Sequence, residues 1–321
     1  ESKVKLRKLD DIFEDGAVFD LIKLDTQGSE IDILKGGKNL VNRSSVIILE
    51  VSFIEYNEGA PLAEEVLSFM HKAFLAGCDA VKFQKRDIES VYTQEELDTP
   101  RESPFGTTTR EQKEGIEFNM EQYKELQAYA EELSLDFIVS CWDQMSLIQV
   151  EKHLNVKYHK VASAMATDKE FLEKLNETNK PVILSVGMCT NEEVEAAMSI
   201  LNNVEYVLAC TSTYPTKADE MNLSHITTLK KLHPSLKIGF SNHYSGLDAC
   251  VGATALGSEC IEFHVTHDRT AYGSDQPASI ENVNGMVEGI RMMEKMLGDG
   301  VKVVYETEKP IAAKLRKVNN V

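Results

Sequence analysis

The chain has 321 residues, 42% of them hydrophobic, and a formal net charge of −18. That length and apolar content support one large domain or two ordinary ones, and no apolar run is long enough for a spanning helix. The acidic balance disfavours nucleic acid and anionic membrane as partners, because both need a basic face, so an anionic substrate must meet a local cluster of Lys, Arg and backbone N–H groups.

In chain order, the opening ESKVKLRKLDDIF is too charged for a signal peptide. DLIKLDTQGSEIDILKGG (20–37) reads as strand, turn and helix with a Gly-Gly stop, an α/β unit too small to stand alone. SVIILEV (45–51) reads as a strand and LAEEVLSFMHKAFLAG (62–77) as a helix. From about residue 78, short β-rich runs alternate with longer amphipathic stretches. The strand candidates are DAVKFQ (79–84), DFIVS (136–140), YHKVAS (158–163), PVILS (181–185), EYVLAC (205–210), KIGFS (237–241) and CIEFH (260–264). Helices are expected over 119–134, 168–178, 191–202, 223–233, 247–257 and 279–298. Asn191 is placed to cap the third of these, with Glu192 and Glu193 in its first turn. Residues 85–118 read as a long polar insertion with an SPFG tip (103–106), the kind of loop often used as a lid.

The alternation predicts parallel strands joined by helical crossovers. With SVIILEV as the first of eight strands, the expected fold class is α/β, a (β/α)₈ TIM barrel with a small N-terminal α/β appendage. The expected division is 1–44 for the appendage and 45–321 for the barrel. An open doubly wound sheet fits the alternation equally well, but no GxGxxG opens a helix. Cys78, Cys141, Cys189, Cys210, Cys250 and Cys260 show no CxxC spacing and sit mostly in apolar runs, as reduced core thiols of a cytoplasmic protein would.

In a barrel the C-terminal strand ends share one mouth, where catalytic groups gather. Here those ends carry Lys82 and Gln84, Ser140, Lys160 and Ser163, Ser185, Thr211 and Ser212, Ser241 and His243, and Glu262 and His264. His243 and His264 end adjacent strands, close enough to share one ion. Glu262 precedes His264 by two residues and points to the same side. Two imidazoles with oxygen ligands suit Mn²⁺, Fe²⁺ or Zn²⁺. Either histidine alone is better explained as capping a strand end; the pair with Glu262 favours a metal. Lys82 and Lys160, with Ser163, Ser185, Ser212 and Ser241, would make a phosphate site. Either lysine alone is also explained by pairing with a barrel carboxylate. In HDRTAYGSDQPAS (267–279), Asp268, Arg269 and Asp275 suit substrate hydroxyls or a carboxylate, and an ordinary solvated loop reads the same way.

At these residues the sequence resembles the sialic acid synthase family, which condenses phosphoenolpyruvate with an N-acylated aldose. AVKFQKRD, SPFG with EQKEGIEF, KVASA, PVILSVGM, CTSTYPT, IGFSNH, IEFH and GSDQ carry the resemblance in order across about 78–316. The resemblance implies a (β/α)₈ barrel with a divalent metal, Mn²⁺ foremost and Mg²⁺ or Co²⁺ as alternatives, on His243 and His264. It implies phosphoenolpyruvate on Lys82, Lys160, Ser163 and Ser241, with Ser212 where relatives often have Asn, and Ser140 and Ser185 completing the polar rim. Gln84, Tyr214 and Asp275 are expected on the sugar side, and Arg269 is expected among the substrate-binding residues. Glu50, Lys82, Lys160 and Glu262 form the expected catalytic set. The implied product is a nonulosonic acid; the implied partners are the two small molecules, with a homodimer as the assembly.

Two departures accompany the resemblance. Family members open the barrel with a strand like AEIGxNHxG. Here ILEVSFIEYNEG (48–59) keeps a glutamate, Glu50, but not the Asn-His pair. Many members also carry a C-terminal antifreeze-like domain, and none is expected from a sequence ending in KLRKVNNV. Residues 1–70 resemble the C-terminal part of FkbM-type methyltransferases, without that family's Gly-rich cofactor half. The join is expected near Ser68–Ala76, with SVIILEV borrowed as barrel strand one. Two other readings follow: a barrel that binds phosphoenolpyruvate or metal without turnover, and the C-terminal part of a larger methyltransferase fusion.

Overall fold

The computed structural model describes residues 21–25, 46–50 and 63–317, with side chains over 66–317. The chain divides into two compact units, Glu1–Val66 and Leu67–Val321. In the first, β1 (Leu21–Asp25) and β2 (Val46–Glu50) pair in parallel, Leu21 opposite Val46 and Asp25 opposite Glu50. SVIILEV is therefore a strand, and its described pairing is with β1. The side chain of Glu50 lies outside the described residues.

A helix at Ala63–Ala76 leads into β3 (Ala80–Lys85). The insertion that follows differs from the loop expected there. It holds two one-turn helices, Ile88–Val91 and Gln94–Leu97, an antiparallel hairpin of β4 (Pro100–Ser103) and β5 (Gly106–Thr108), and a helix at Thr109–Ile116. Reciprocal capping boxes, Thr93 with Glu96 and Thr108 with Glu111, start two of these pieces. Local hydrogen bonds, with Leu97 fully buried, order the segment.

The remaining strands are β6 (Asp136–Cys141), β7 (His159–Val161), β8 (Val182–Ser185), β9 (Val204–Cys210), β10 (Lys237–Asn242) and β11 (Ile261–Phe263). The expected helices form at Met120–Glu132, Lys169–Asn176, Asn191–Ile200, Ser224–Leu232, Asp248–Ala255 and Val283–Leu297. A further helix, Gln144–His153, fills the connection between β6 and β7. The helix expected to start on Asn191 is capped one residue earlier. Thr190 takes the Glu193 N–H, and Glu193 reaches back to the Thr190 N–H. No helix among the described residues is long and apolar enough to cross a membrane.

β3, β6, β7, β8, β9, β10 and β11 form one sheet in that order, every neighbouring pair parallel. A doubly wound sheet must reverse its direction of winding. This one never does, so successive crossovers curl it into the wall of an α/β barrel. The curl is visible in one contact. Lys82 on β3 and Glu262 on β11, at opposite ends of the strand order, form an ion pair at 3.0 Å. On the outside, Arg291 of the helix after β11 reaches Asp79, just before β3, at 2.7 Å.

Side-chain alternation divides the strands into two faces. Outward residues Val139, Val161, Leu184, Val207 and Phe240 are buried with Phe171, Leu172 and Leu175 of a covering helix. Each contributes about 1.5–3 kcal/mol. Inward, Ile138, Ile183 and Leu208 form an apolar floor with Ala80, Tyr158, Tyr206 and Cys260 against them. Gly239 stands at this level because space there is exhausted: a Cβ would lie 2.4 Å from the Cys260 carbonyl and 2.5 Å from Leu208. Two residues further along these strands, the inward positions become Lys82, Ser140, Lys160, Ser185, Cys210, Ser241 and Glu262. The interior changes from oil to charge within one pleat.

Candidate active site

Above the floor lies a cavity of about 150 Å³. Its lining includes Lys82, Gln84, Ser140, Lys160, Ser163, Ser185, Ser212, Ser241, His243, Glu262 and His264, all anticipated from strand-end position, and Tyr214, anticipated from the resemblance. Trp142, Ala162, Ala164 and Met188 complete it and were not anticipated. Trp142 was legible: it continues the inward parity of Ser140.

The electrostatic centre is Glu262 between two lysines. Lys82 Nζ lies 3.0 Å from one carboxylate oxygen and Lys160 Nζ 3.6 Å from the other. Lys160, 5% exposed, also donates to Ser185 Oγ at 2.7 Å and to the Val161 carbonyl at 3.0 Å. Burial would raise the Glu262 carboxyl, but Lys160 and Lys82, with a hydrogen bond to Ser241, hold it well below the usual carboxylate range. Burial depresses Lys160, and Glu262 opposes that. Two ammonium groups against one carboxylate leave a net positive spot inside a strongly acidic protein. Hydroxyls surround it. Gly187 N–H donates to Ser163 Oγ at 3.0 Å, and Ser140 Oγ is buried without a hydrogen-bond partner in the structure. A Cβ on Gly187 would fall 2.3 Å from Ser212 Oγ and 2.9 Å from Ser163 Oγ, so any larger residue there would have to displace these hydroxyls.

Beside this spot stand the two histidines, ring centroids 5.4 Å apart. His243 Nδ1 lies 2.8 Å from the Thr211 carbonyl, so it carries the proton and donates, leaving Nε2 as the lone-pair nitrogen. His264 Nδ1 faces Asp275 at 3.4 Å, which frees its Nε2 in the same way. Burial, reinforced by the Lys82 charge, pushes His264 down to about 4, so its ring is neutral at neutral pH, the form that ligates metals. His243 is pulled the other way. Burial lowers it, but contact with Cys210 at 3.6 Å, the Thr211 carbonyl and the Glu262 charge together outweigh that and raise it. Burial pushes the Cys210 thiol up, and His243, Ser212 and Ser163 together draw it below its ordinary value. The reading of Cys210 as a simple core thiol therefore understates it: it lies beneath the cavity in contact with three lining side chains.

The histidines fit a divalent ion as a two-imidazole site with outer partners on both Nδ1 atoms. Among the described residues no three His, Cys, Asp or Glu side chains converge as a cage. Glu262, expected beside them, turns its oxygens to the lysines instead. An ion here would complete its shell with water or substrate oxygen.

Of the residues expected on the sugar side, Tyr214 packs tilted against the His243 ring with centroids 4.2 Å apart, and Gln84 lines the cavity from β3. Asp275 reaches the site through His264. Arg269 is not brought to the cavity: Glu281 takes its guanidinium at 2.7 Å, and its Nη1 donates to the Ser245 carbonyl at 3.5 Å.

The NeuB family model matches residues 69–302, and the methyltransferase FkbM domain model matches residues 1–76. The chain is 36% identical over 248 residues to the N-acetylneuraminate-9-phosphate synthase of Mus musculus, covering 75% of this chain and 69% of that one. It is 29% identical over 280 residues to the N,N'-diacetyllegionaminic acid synthase of Campylobacter jejuni, covering 83% of this chain and 81% of that one. Among solved structures, the N-acetylneuraminic acid synthetase of Leptospira borgpetersenii, in complex with citrate, superposes with a TM-score of 0.65 at 27% identity, over 80% of this chain and 88% of that one.

Proposed function

Because the chain belongs to the NeuB family, we propose that it is a phosphoenolpyruvate-dependent synthase, joining phosphoenolpyruvate to an N-acylated aldose to give a nonulosonic acid and inorganic phosphate. The observation that carries this reading is the Lys82–Glu262–Lys160 cluster set beside two imidazoles in one barrel mouth.

Lys82 and Lys160 neutralise the phosphate of the bound enol, and Ser163, Ser185 and Ser241 supply neutral hydrogen bonds around it. Glu262 holds the lysines in place; its depressed pKa makes it a fixed carboxylate rather than a proton donor. Tyr214 and Gln84 hold the open-chain sugar with its aldehyde carbon against C3 of the enol, and proximity lowers the barrier. His243 and His264 would hold a divalent ion, Mn²⁺ foremost, which supplies Lewis-acid polarisation of the aldehyde oxygen. C3 attacks the aldehyde carbon, water adds its oxygen at C2, and the C2–O bond breaks to release phosphate. As negative charge leaves with the phosphate, the lysines stabilise it. Glu50 is the residue proposed to move protons in these steps, its side chain lying outside the described residues. The free thiols support a reducing, cytoplasmic setting.

The test is phosphate release from phosphoenolpyruvate and N-acetylmannosamine with Mn²⁺, then with a panel of other N-acylated aldoses. Activity should vanish on chelation, return with Mn²⁺, and be lost in His264→Ala. An undiminished rate after chelation removes the metal from the reading; no phosphate release across the panel removes the synthase.

A further inference from the structure

Gln84 and Trp142 line the cavity from neighbouring strand ends, and a side chain outside the lining ties them together. Arg86 lies two residues beyond Gln84. Its guanidinium sits 4.0 Å from the centroid of the Trp142 ring, and Nη2 donates to Gln84 Oε1 at 2.8 Å. The backbone beneath is pinned as well. Arg86 N–H donates to Glu117 Oε1 at 3.2 Å, and the same carboxylate meets the buried Lys85 at 3.4 Å. Trp142 N–H donates to the Lys85 carbonyl at 3.0 Å. The arginine is thus held on both its backbone and its flat face.

An amide presents an oxygen acceptor at one end and two N–H donors at the other, whereas a guanidinium has donors only. Arg86 therefore dictates that the Gln84 oxygen faces outward to it. The NH₂ end is what remains for a ligand in the cavity. A glutamine without such a partner could rotate and offer either end.

We infer that Arg86 is a positioning residue that locks Gln84 with its amide donors toward the acceptor sugar, and so selects an acceptor presenting an oxygen at that point. The inference rests on the proposed sugar side of the site, and it deepens that reading by fixing the polarity of one contact. It makes no claim on the phosphoenolpyruvate side, where Lys82 and Lys160 act.

The experiment is a double-mutant cycle with two readouts. In wild-type protein and in Gln84→Met, Arg86 is replaced by Met and, separately, by Lys. The first readout is KM for N-acetylmannosamine and for phosphoenolpyruvate. The second is sugar binding followed by the fluorescence of Trp142, the only tryptophan of the chain, which needs no turnover. Arg86→Met should raise the sugar KM and Kd about tenfold, the scale of one lost hydrogen bond, with the phosphoenolpyruvate KM and Tm unchanged. Arg86→Lys, which keeps a donor, should recover part of the loss. In the Gln84→Met background Arg86→Met should add nothing, because its target is gone. Equal losses in both backgrounds, or parallel rises in both KM values with a lowered Tm, overturn the inference. So does a wild-type fluorescence titration that does not saturate. Saturable sugar binding with the cycle behaving as expected, but no phosphate release, would overturn the synthase reading and leave the role of Arg86 standing.

Discussion

At Lys160, burial and charge compete. Its ammonium is 5% exposed and is kept in place by Ser185, a backbone carbonyl and Glu262. Replacing it with Met removes a buried cation from the proposed phosphate site. The expected loss in kcat/KM for phosphoenolpyruvate is at least about 30-fold, the lower range for truncating one partner of a buried charge pair. A phosphate-release assay checks this, and circular dichroism should show the barrel intact, since Glu262 keeps Lys82. His159, one residue earlier, is a different case. It is 1% exposed, and Glu151 lies 3.1 Å from Nε2 without hydrogen-bond alignment. Burial lowers its pKa, and Glu151 only partly opposes that. The unfolded chain therefore takes up the proton first as pH falls. The stability due to neutral His159 is full above about pH 6.5 and is lost as pH falls through the depressed folded value. Urea midpoints should drop more in the wild type than in His159→Gln between about pH 7.5 and about pH 5; equal drops would refute this. Residue identities at the strand ends were legible from parity alone. The fate of Arg269 was not, because Glu281, twelve positions along, competes for it in a way no local pattern encodes.

Among the elements, the seven strands of the sheet were legible because each is a short β-rich run closed by polar residues, and the pleat turns such a run into an inner and an outer face. The helix Gln144–His153 was missed because its buried side consists of Ser146, Leu147 and Val150 alone, too little apolar signal over ten residues. The insertion after β3 was read as a loop because its pieces are each eight residues or shorter and are organised by caps rather than by hydrophobic period. Gly239 of β10 is the element-level constraint that no periodicity reveals. Gly239→Ala should destabilise the protein by about 1–3 kcal/mol, as overpacking does, because one of its obstacles is backbone and cannot rotate away. Thermal unfolding measures this, and an unchanged Tm would mean that β10 and β11 separate more readily than their pairing suggests.

For the whole molecule, the charge of −18 and the positive interior spot act at different ranges. A dianionic enol phosphate approaching from solvent is repelled at long range before Lys82 and Lys160 attract it. Salt screens the long-range part more than the buried pair. Raising KCl from about 20 to about 150 mM should therefore lower KM for phosphoenolpyruvate; a rise would show that the local cluster dominates throughout.

The ion pair between Lys82 and Glu262 also orders events in time. Its partners are separated by more than half of the chain, and Glu262 is among the last of the site residues to be made. The proposed phosphate-binding spot thus has no early version. Helices and the first strands can assemble from near neighbours, whereas this contact waits for a loop of more than half the chain to close. Recovery of phosphoenolpyruvate binding during refolding should lag behind recovery of helical signal. The site would serve as a clock hand for the final stage of folding.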